Sequence, residues 1–380
     1  MVGPAALASG CLVVAAVFSS RLAVANPLLL AAACTAFWAL RRGELQARPW
    51  ARPLWAPAAL FALASLLSAV FSQDPIISGQ QLPRLLVFLL LPLAAALFTL
   101  GWWRVLVWGL AGATLTLSLW GVWQYLHGFD SLARRIRGPL SHYMTYAGWL
   151  LLALGVLLAM ALLAPWRWRV LLFLPVVAAM VALFLSFTRN AWVGLGVGVL
   201  VLAACWRRRL LLAYPVIALL VLLLFPQSVR QRLVSIWDLR QPANFDRLCM
   251  VYAGWQMVRD HPLTGVGLDM VPKAYPLYRR DDAPRFRVPH LHNNLLQIAA
   301  ERGLVAVAAY LWLLGAFFVQ TWRSLPSLAQ ESRALVTAAL TGVASVTAAG
   351  LFEYNFWDAE IQYLTLVLMG GALGLTESEG

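Results

Sequence analysis

Residues 168–206 read WRVLLFLPVVAAMVALFLSFTRNAWVGLGVGVLVLAACW. Two apolar runs, 168–187 and 190–206, flank a single cation, Arg189. About twenty apolar residues cross the hydrocarbon core of a bilayer, fewer where it thins. Each run therefore reads as a crossing, and the turn between them is very short. Lipid offers the backbone no hydrogen-bond partners, so only helices and closed barrels can span it. A barrel would show short alternating segments. These runs are continuous and about twice that length, so helices are expected.

The same pattern extends in both directions. About twelve spans are expected, near 4–20, 24–40, 54–72, 84–100, 104–126, 143–164, 168–187, 190–206, 210–226, 294–322, 334–351 and 359–375. The chain divides into an N-terminal transmembrane bundle at 1–226, a long loop at 227–293, and C-terminal spans at 294–380. The run 294–322 is longer than a perpendicular crossing needs, so it should tilt or extend past the bilayer. The run 4–19 lacks a basic start and a small-residue cleavage site, and reads as a retained span rather than a signal peptide. Composition agrees: 62% of the 380 residues are hydrophobic and 12% are charged, about half the charge of a soluble domain. A soluble enzyme and a disordered chain are both excluded. The fold class is thus an all-α polytopic membrane protein.

The net charge of +13 would suggest nucleic acid in a soluble protein. Here the arginines flank apolar runs, so topology and contact with membrane lipids explain them and no nucleic-acid partner is expected. One set of short connections holds twelve arginines, including Arg41, Arg42, Arg104 and Arg207 to Arg209; the opposite set holds six. The richer side should be cytoplasmic, with both termini on it. All five histidines (His127, His142, His261, His290 and His292) then fall on the other side. So does the loop 227–293, which is too long to be structureless. Within it, Leu248, Val251, Tyr252, Trp255 and Val258 have the spacing of an amphipathic helix that lies on the membrane or caps the bundle. The four cysteines show no metal spacing and no disulfide framework.

Four stretches carry candidate chemistry. Arg189 between two apolar runs is costly unless it snorkels or faces a cavity; a cavity-facing guanidinium would hold an anion. In RFRVPHLHNN (285–294), His290 and His292 precede a long helix that Asn293 or Asn294 can cap. An imidazole there suits a general base near neutral pH. A two-histidine metal site is the rival, but no Asp, Glu or Cys cluster lies near in sequence. In RRIRGPLSHYM (134–144), Arg137 and His142 suit an anion-binding rim, against the plainer reading of a solvated basic loop. Arg247 begins the amphipathic segment. In EYNFWDAE (353–360), Glu353, Asp358 and Glu360 can bind a sugar, orient a histidine or cap the last helix.

These residues resemble the O-antigen ligase and polymerase superfamily. SFTRNAW (186–192), DRLCMVYAGWQMVRDHPLTGVGLDM (246–270), HLHNNLLQIAAERGLVAVAAYL (290–311) and RGPLSHYMTYAG (137–148) resemble segments of that family, in its order. The resemblance covers about 130–320. Asn190 stands where glycine is common. The His-Asn pattern favours His292 over His290. The C-terminal extension of related protein-glycosylating transferases is not seen.

The resemblance implies a glycosyltransferase C-type membrane fold at the bacterial inner membrane, working at the periplasmic face. It implies transfer of a glycan from undecaprenyl pyrophosphate to a sugar hydroxyl of lipid A–core, or, in a polymerase, to another lipid-linked repeat unit. Arg189 and Arg247 would hold the pyrophosphate and His292, with His290 as alternative, would be the base. Arg137, His142, Asn293 and Glu353 would contact substrate. The first outward loop, SSRLAVAN (19–26), holds no acidic residue, so a direct, inverting and metal-independent attack is expected, with no cofactor. A lipid or polysaccharide transporter has a similar span count, but no internal repeat is evident.

Overall fold

In the computed structural model, residues 3–45, 51–209, 211–212 and 241–379 are described. Helices dominate them and no strand occurs among them. They are α1 (Pro4–Val17), α2 (Leu22–Arg41), α3 (Trp55–Val70), α4 (Pro75–Gln81), α5 (Leu90–Leu97), α6 (Leu100–Leu126), α7 (Tyr143–Leu163), α8 (Trp166–Leu185) and α9 (Arg189–Trp206). After the undescribed stretch come α10 (Pro242–Asp260), α11 (Val271–Tyr278), α12 (Asn294–Ser324), α13 (Gln330–Ala349) and α14 (Ala359–Glu379). Ten helical segments among the described residues are long and apolar enough to cross a membrane. The chain is an all-α polytopic membrane protein. The expected span at 84–100 begins earlier, at Pro75, because α4, a 3-10 stretch at Leu82–Leu89 and α5 run on as one segment. Pro4–Val17 is shorter than the others. Apart from residues 211–212, the expected span at 210–226 lies outside the described residues, as do residues 227–240 of the long loop.

Small residues set the centre of the bundle. α13 packs against both α7 and α9. Gly194 and Gly198, four apart on α9, approach Ser345 so closely that a Cβ at either would collide with it. Such small-residue contacts let helix backbones meet in lipid, where no hydrophobic effect drives association. The packing fixes α9 and so the height of Arg189 at its first turn. α8 turns Leu171, Phe173 and Leu174 outward, as a lipid-facing helix should.

The expected continuous helix from 294 is broken. Gly303 has φ 80 and ψ 173, a conformation essentially restricted to glycine. The break frees carbonyls that the segment after α10 then engages. Val266 N–H donates to Ala300 O at 2.8 Å and Gly267 N–H to Glu301 O at 3.1 Å. Ser68 Oγ donates to Glu301 O at 2.6 Å, and Leu304 N–H to Pro262 O at 2.8 Å. The first part of α12 thus belongs to the loop region, and the rest is the span. This accounts for the excess length without tilt alone.

The loop region has its own small core. Met250, Ala253, Met257, Val266, Tyr275 and Leu291 bury together with the start of α12. A helix forms at the expected place, but the buried face differs from the one read in sequence. Leu248, Val251, Tyr252 and Trp255 are exposed among the described residues, and only Val258 of that set is buried. The helix carries apolar residues on two sides. Gly254 decides which side docks, because a Cβ there would meet Leu291 and Leu296 at 2.8 Å.

Candidate functional site

The site is assembled where α12 begins. Asn293 is the helix N-cap, its Oδ1 accepting from Leu296 N–H at 2.9 Å. Its Nδ2 donates to Leu351 O at 2.8 Å. Asn294 Oδ1 accepts from the N–H groups of Asn355 (3.0 Å) and Phe356 (3.1 Å), and its Nδ2 donates to Asn355 Oδ1 at 2.8 Å. Asn294 N–H donates to Gly350 O at 2.8 Å. The two asparagines therefore fasten the loop between α13 and α14 onto the residues just after His292. That loop carries Glu353.

The fastening brings Glu353 against both histidines. His292 Nδ1 lies 2.9 Å from Glu353 Oε2 and 3.0 Å from Oε1. His290 Nδ1 lies 3.6 Å from Glu353 Oε1, and it has no hydrogen-bond partner. The two imidazoles meet edge to face, 4.3 Å apart. Arg247 Nη2 stands 4.0 Å from Glu353 Oε2. Burial alone would raise the Glu353 carboxyl. The hydrogen bond from His292, with the Arg247 guanidinium nearby, outweighs it and holds the group below its usual range. Burial pushes His290 down to about 4 against the pull of Glu353, so this ring is neutral at neutral pH. Burial also lowers His142.

The two histidines and Arg247 line a cleft of ≈ 300 Å³. His142, Arg189, Arg247, His290 and His292 all face it, and Arg135 and Arg285 join them. Arg189 Nη2 donates to Asn244 Oδ1 at 2.7 Å, which ties the start of α9 to the start of α10. Arg285 pairs with Asp246. Four guanidinium groups around a cleft whose lining holds one acidic side chain, Asp246, make a place for an anion. Two residues that border it, Phe187 and His292, have positive φ of 52. Such strain in non-glycine residues persists where the surroundings over-determine it, and it concentrates at functional sites.

Two of the residues singled out in sequence stand elsewhere. Arg137 is exposed, donates to Ser141 O at 3.1 Å and does not border the cleft; Arg135, two residues earlier, does. Asn293 is engaged in capping and in holding Leu351. His127 and His261 end α6 and α10 outside the cleft. Sequence reading gave no role to Arg135 or Arg285, although both sit in the basic stretches it marked. It also passed over Glu301 and Arg302, a buried ion pair of 2.8 Å. A charged pair inside an apolar run was the available signal. Glu301 also accepts from Gln297 at 2.8 Å, and Arg302 lies 4.6 Å above the Trp357 ring, so the pair braces the Glu353 loop from beneath.

His290, His292 and Glu353 place ligand-type atoms within 4.8 Å of one another. The third group that the sequence did not supply nearby therefore comes from the α13–α14 loop, and the cluster has the donor types for a divalent ion. The Arg247 guanidinium at 4.0 Å from the same carboxylate opposes a second cation there.

A comparison with curated proteins finds no match for the chain. Residues 174–311 match the sequence model of the O-antigen ligase family, whose members are membrane glycosyltransferase-like enzymes. The matched stretch holds Arg189, Arg247, His290 and His292, while His142 comes to the same cleft, and Glu353 to His292, from outside it. Residues 174–311 of this helical membrane protein thus carry the sequence pattern of the O-antigen ligase family, which supports its likeness to that superfamily.

Proposed function

We propose that the cleft transfers a glycan from undecaprenyl pyrophosphate to a sugar hydroxyl of lipid A–core, as an O-antigen ligase does. The observation that carries this reading is the His292–Glu353 pair at 2.9 Å, set on a cleft with four arginines. The cleft then faces the periplasm at the inner membrane, and both termini lie in the cytoplasm.

The chemistry follows from the groups present. Glu353 accepts a hydrogen bond from the His292 Nδ1–H, which leaves the Nε2 lone pair to take a proton. The acceptor hydroxyl loses its proton to Nε2 as its oxygen attacks the anomeric carbon. The bond from that carbon to the pyrophosphate oxygen breaks, and its electron pair leaves with the phosphate. Negative charge grows on that oxygen in the transition state. Arg189 and Arg247, with Arg135 and Arg285 beside them, stabilise this charge more than the ground state. One direct displacement inverts the anomeric centre. His290, neutral and without a hydrogen bond, shapes the cleft wall beside His292. Arg137 has no part in it, and His142 with its neighbour Arg135 forms the rim.

A metal held by His290, His292 and Glu353 is the second reading, favoured by their grouping. A polymerase using another lipid-linked repeat as acceptor shares the donor chemistry. One experiment separates the three. Purified protein is given lipid-linked glycan, with and without lipid A–core, with and without a chelator. The ligase reading expects glycosylated lipid A–core that is unchanged by chelator. Loss of transfer with chelator, restored by a divalent ion, supports the metal. Longer chains from donor alone support a polymerase.

A further inference from the structure

A second cavity, of ≈ 770 Å³, lies between α2, the Pro75–Leu97 segment and α14. It shares no lining residue with the cleft and is much larger. Its length runs down the helices from the end that carries the loop region. Its apolar part is an open trough of Leu29, Leu30, Ala33, Leu90 and Leu93, with Leu30 67% exposed. The mouth is polar, with Arg84, Asp358, Glu360, Gln362 and Tyr363. Gln362 is 7% exposed and stands between this cavity and a smaller one lined by Tyr310 and Asn355, and its Nε2 has no hydrogen-bond partner among the described residues. A buried amide N–H left without a partner costs free energy unless something bound supplies an acceptor.

The mouth is matched to hydroxyl groups rather than to phosphate. Burial, and then hydrogen bonding to the neighbouring Glu360 carboxyl, push Asp358 up to about 8, so the pair holds a proton and can both donate and accept. Tyr363 Oη donates to Asn26 Oδ1 at 3.0 Å, and Trp357 adds an aromatic wall. Arg84 is the one cation among the lining residues, against four in the cleft. The mouth is also mechanically joined to the cleft. Thr145 Oγ1 donates to Asp358 Oδ2 at 2.7 Å, and His142, which caps the same helix, borders the cleft. Glu353, which meets His292, and Asp358 share one loop.

We propose that this groove seats the acceptor, a glycolipid whose chain fills the trough and whose sugar hydroxyls meet the Asp358–Glu360–Gln362 mouth. This rests on the transfer reading above, which needs two lipid substrates. The cationic cleft takes the pyrophosphate and the groove takes the lipid that receives the sugar.

The test uses the full chain in phosphatidylcholine nanodiscs, with no donor present. Two photoreactive probes carry the same diazirine-bearing chains, one a glucosyl diacylglycerol and the other a phosphatidylcholine. Labelled peptides are mapped by mass spectrometry. The glycolipid should label the Leu29–Ala33 and Leu90–Leu93 peptides several-fold more than the phosphatidylcholine probe does. Both should label the outer face of α8, around Phe173, equally. Glu360→Gln with Gln362→Leu should bring groove labelling by the glycolipid down to the phosphatidylcholine level, and Ala33→Trp should reduce labelling by both. Equal groove labelling by the two probes in wild type, or none above that of α8, overturns the proposal. Transfer that survives the loss of glycolipid labelling in the Glu360/Gln362 variant overturns the acceptor assignment. Because labelling is read without donor, a failed transfer assay alongside selective labelling counts against the transfer reading and not against the groove.

Discussion

His292 holds its place through contacts drawn from three directions. Its backbone is left-handed at φ 52, which costs a residue of this kind about 1–3 kcal/mol. Asn293 caps the helix behind it, and Glu353 orients its ring. His290, two residues earlier, meets the same carboxylate at a longer distance, 3.6 Å. It is three-quarters buried and held down to about 4, while an imidazole in the unfolded chain titrates near 6.5. The sign follows directly. Between those values the unfolded chain binds a proton that the folded chain refuses, so stability falls as pH drops from about 6.5 to about 4. Glu353, held below its usual range, adds a loss in the same direction only at still lower pH. The melting temperature of the wild type in detergent should therefore decline across that window, and His290→Gln should decline less steeply. Parallel slopes for the two proteins would contradict the neutral state of His290. The pair His290 and His292 was legible from the sequence, because two imidazoles before a capped helix are unusual. Their difference was not, because it depends on Glu353, 61 residues beyond His292.

At the scale of elements, the break in α12 is the feature that sequence patterning concealed. Within 294–322 the apolar pattern is interrupted at Glu301 and Arg302, and the residue that breaks the helix is the single glycine after them. Its meaning appears only once Leu263 O and Thr264 N are seen beside it. A Cβ at Gly303 would collide with that backbone, and the required φ of 80 and ψ of 173 disfavours any other residue. Gly303→Ala should lower the melting temperature, with a cost of about 1–3 kcal/mol from the backbone alone. It should also reduce transfer, since the loop docked on the break supports the start of α12. Gly315→Ala is the control in the same helix. Nothing lies within 4 Å of a Cβ there, and alanine should be neutral or stabilise by about 0.4–1 kcal/mol. Equal effects of the two substitutions would show that the break is not what supports the loop. The helix α10 teaches a related lesson. Its apolar spacing announced a helix, yet apolar side chains lie on two of its faces. Gly254 and the partner residues Leu291 and Leu296 select the docking face, and no local pattern encodes that choice.

At the scale of the whole molecule, hydropathy carried most of the fold. Runs of apolar residues can be counted without knowing what they touch, because lipid makes the same demand on each of them. Which helices form the centre is a different question. α7, α13 and α14 are mostly buried, whereas α2 and α8 are mostly exposed, although all five read as spans. The sorting depends on small residues such as Gly155 and Gly342, whose backbones touch. The site follows the same division. Arg189, Arg247 and the histidines lie within segments that have their own motif, but their meeting in one cleft is a property of the bundle. The most direct test of that meeting is a single-turnover assay with radiolabelled lipid-linked glycan, excess lipid A–core and purified protein. Wild type, His292→Ala, Glu353→Gln and the double variant are compared, with donor binding measured on each. If His292 and Glu353 act as one unit, each single variant loses about 10²–10⁴-fold in transfer rate, the double variant loses little more, and donor binding is retained by all. Full transfer by His292→Ala, or losses that multiply in the double variant, would contradict the account.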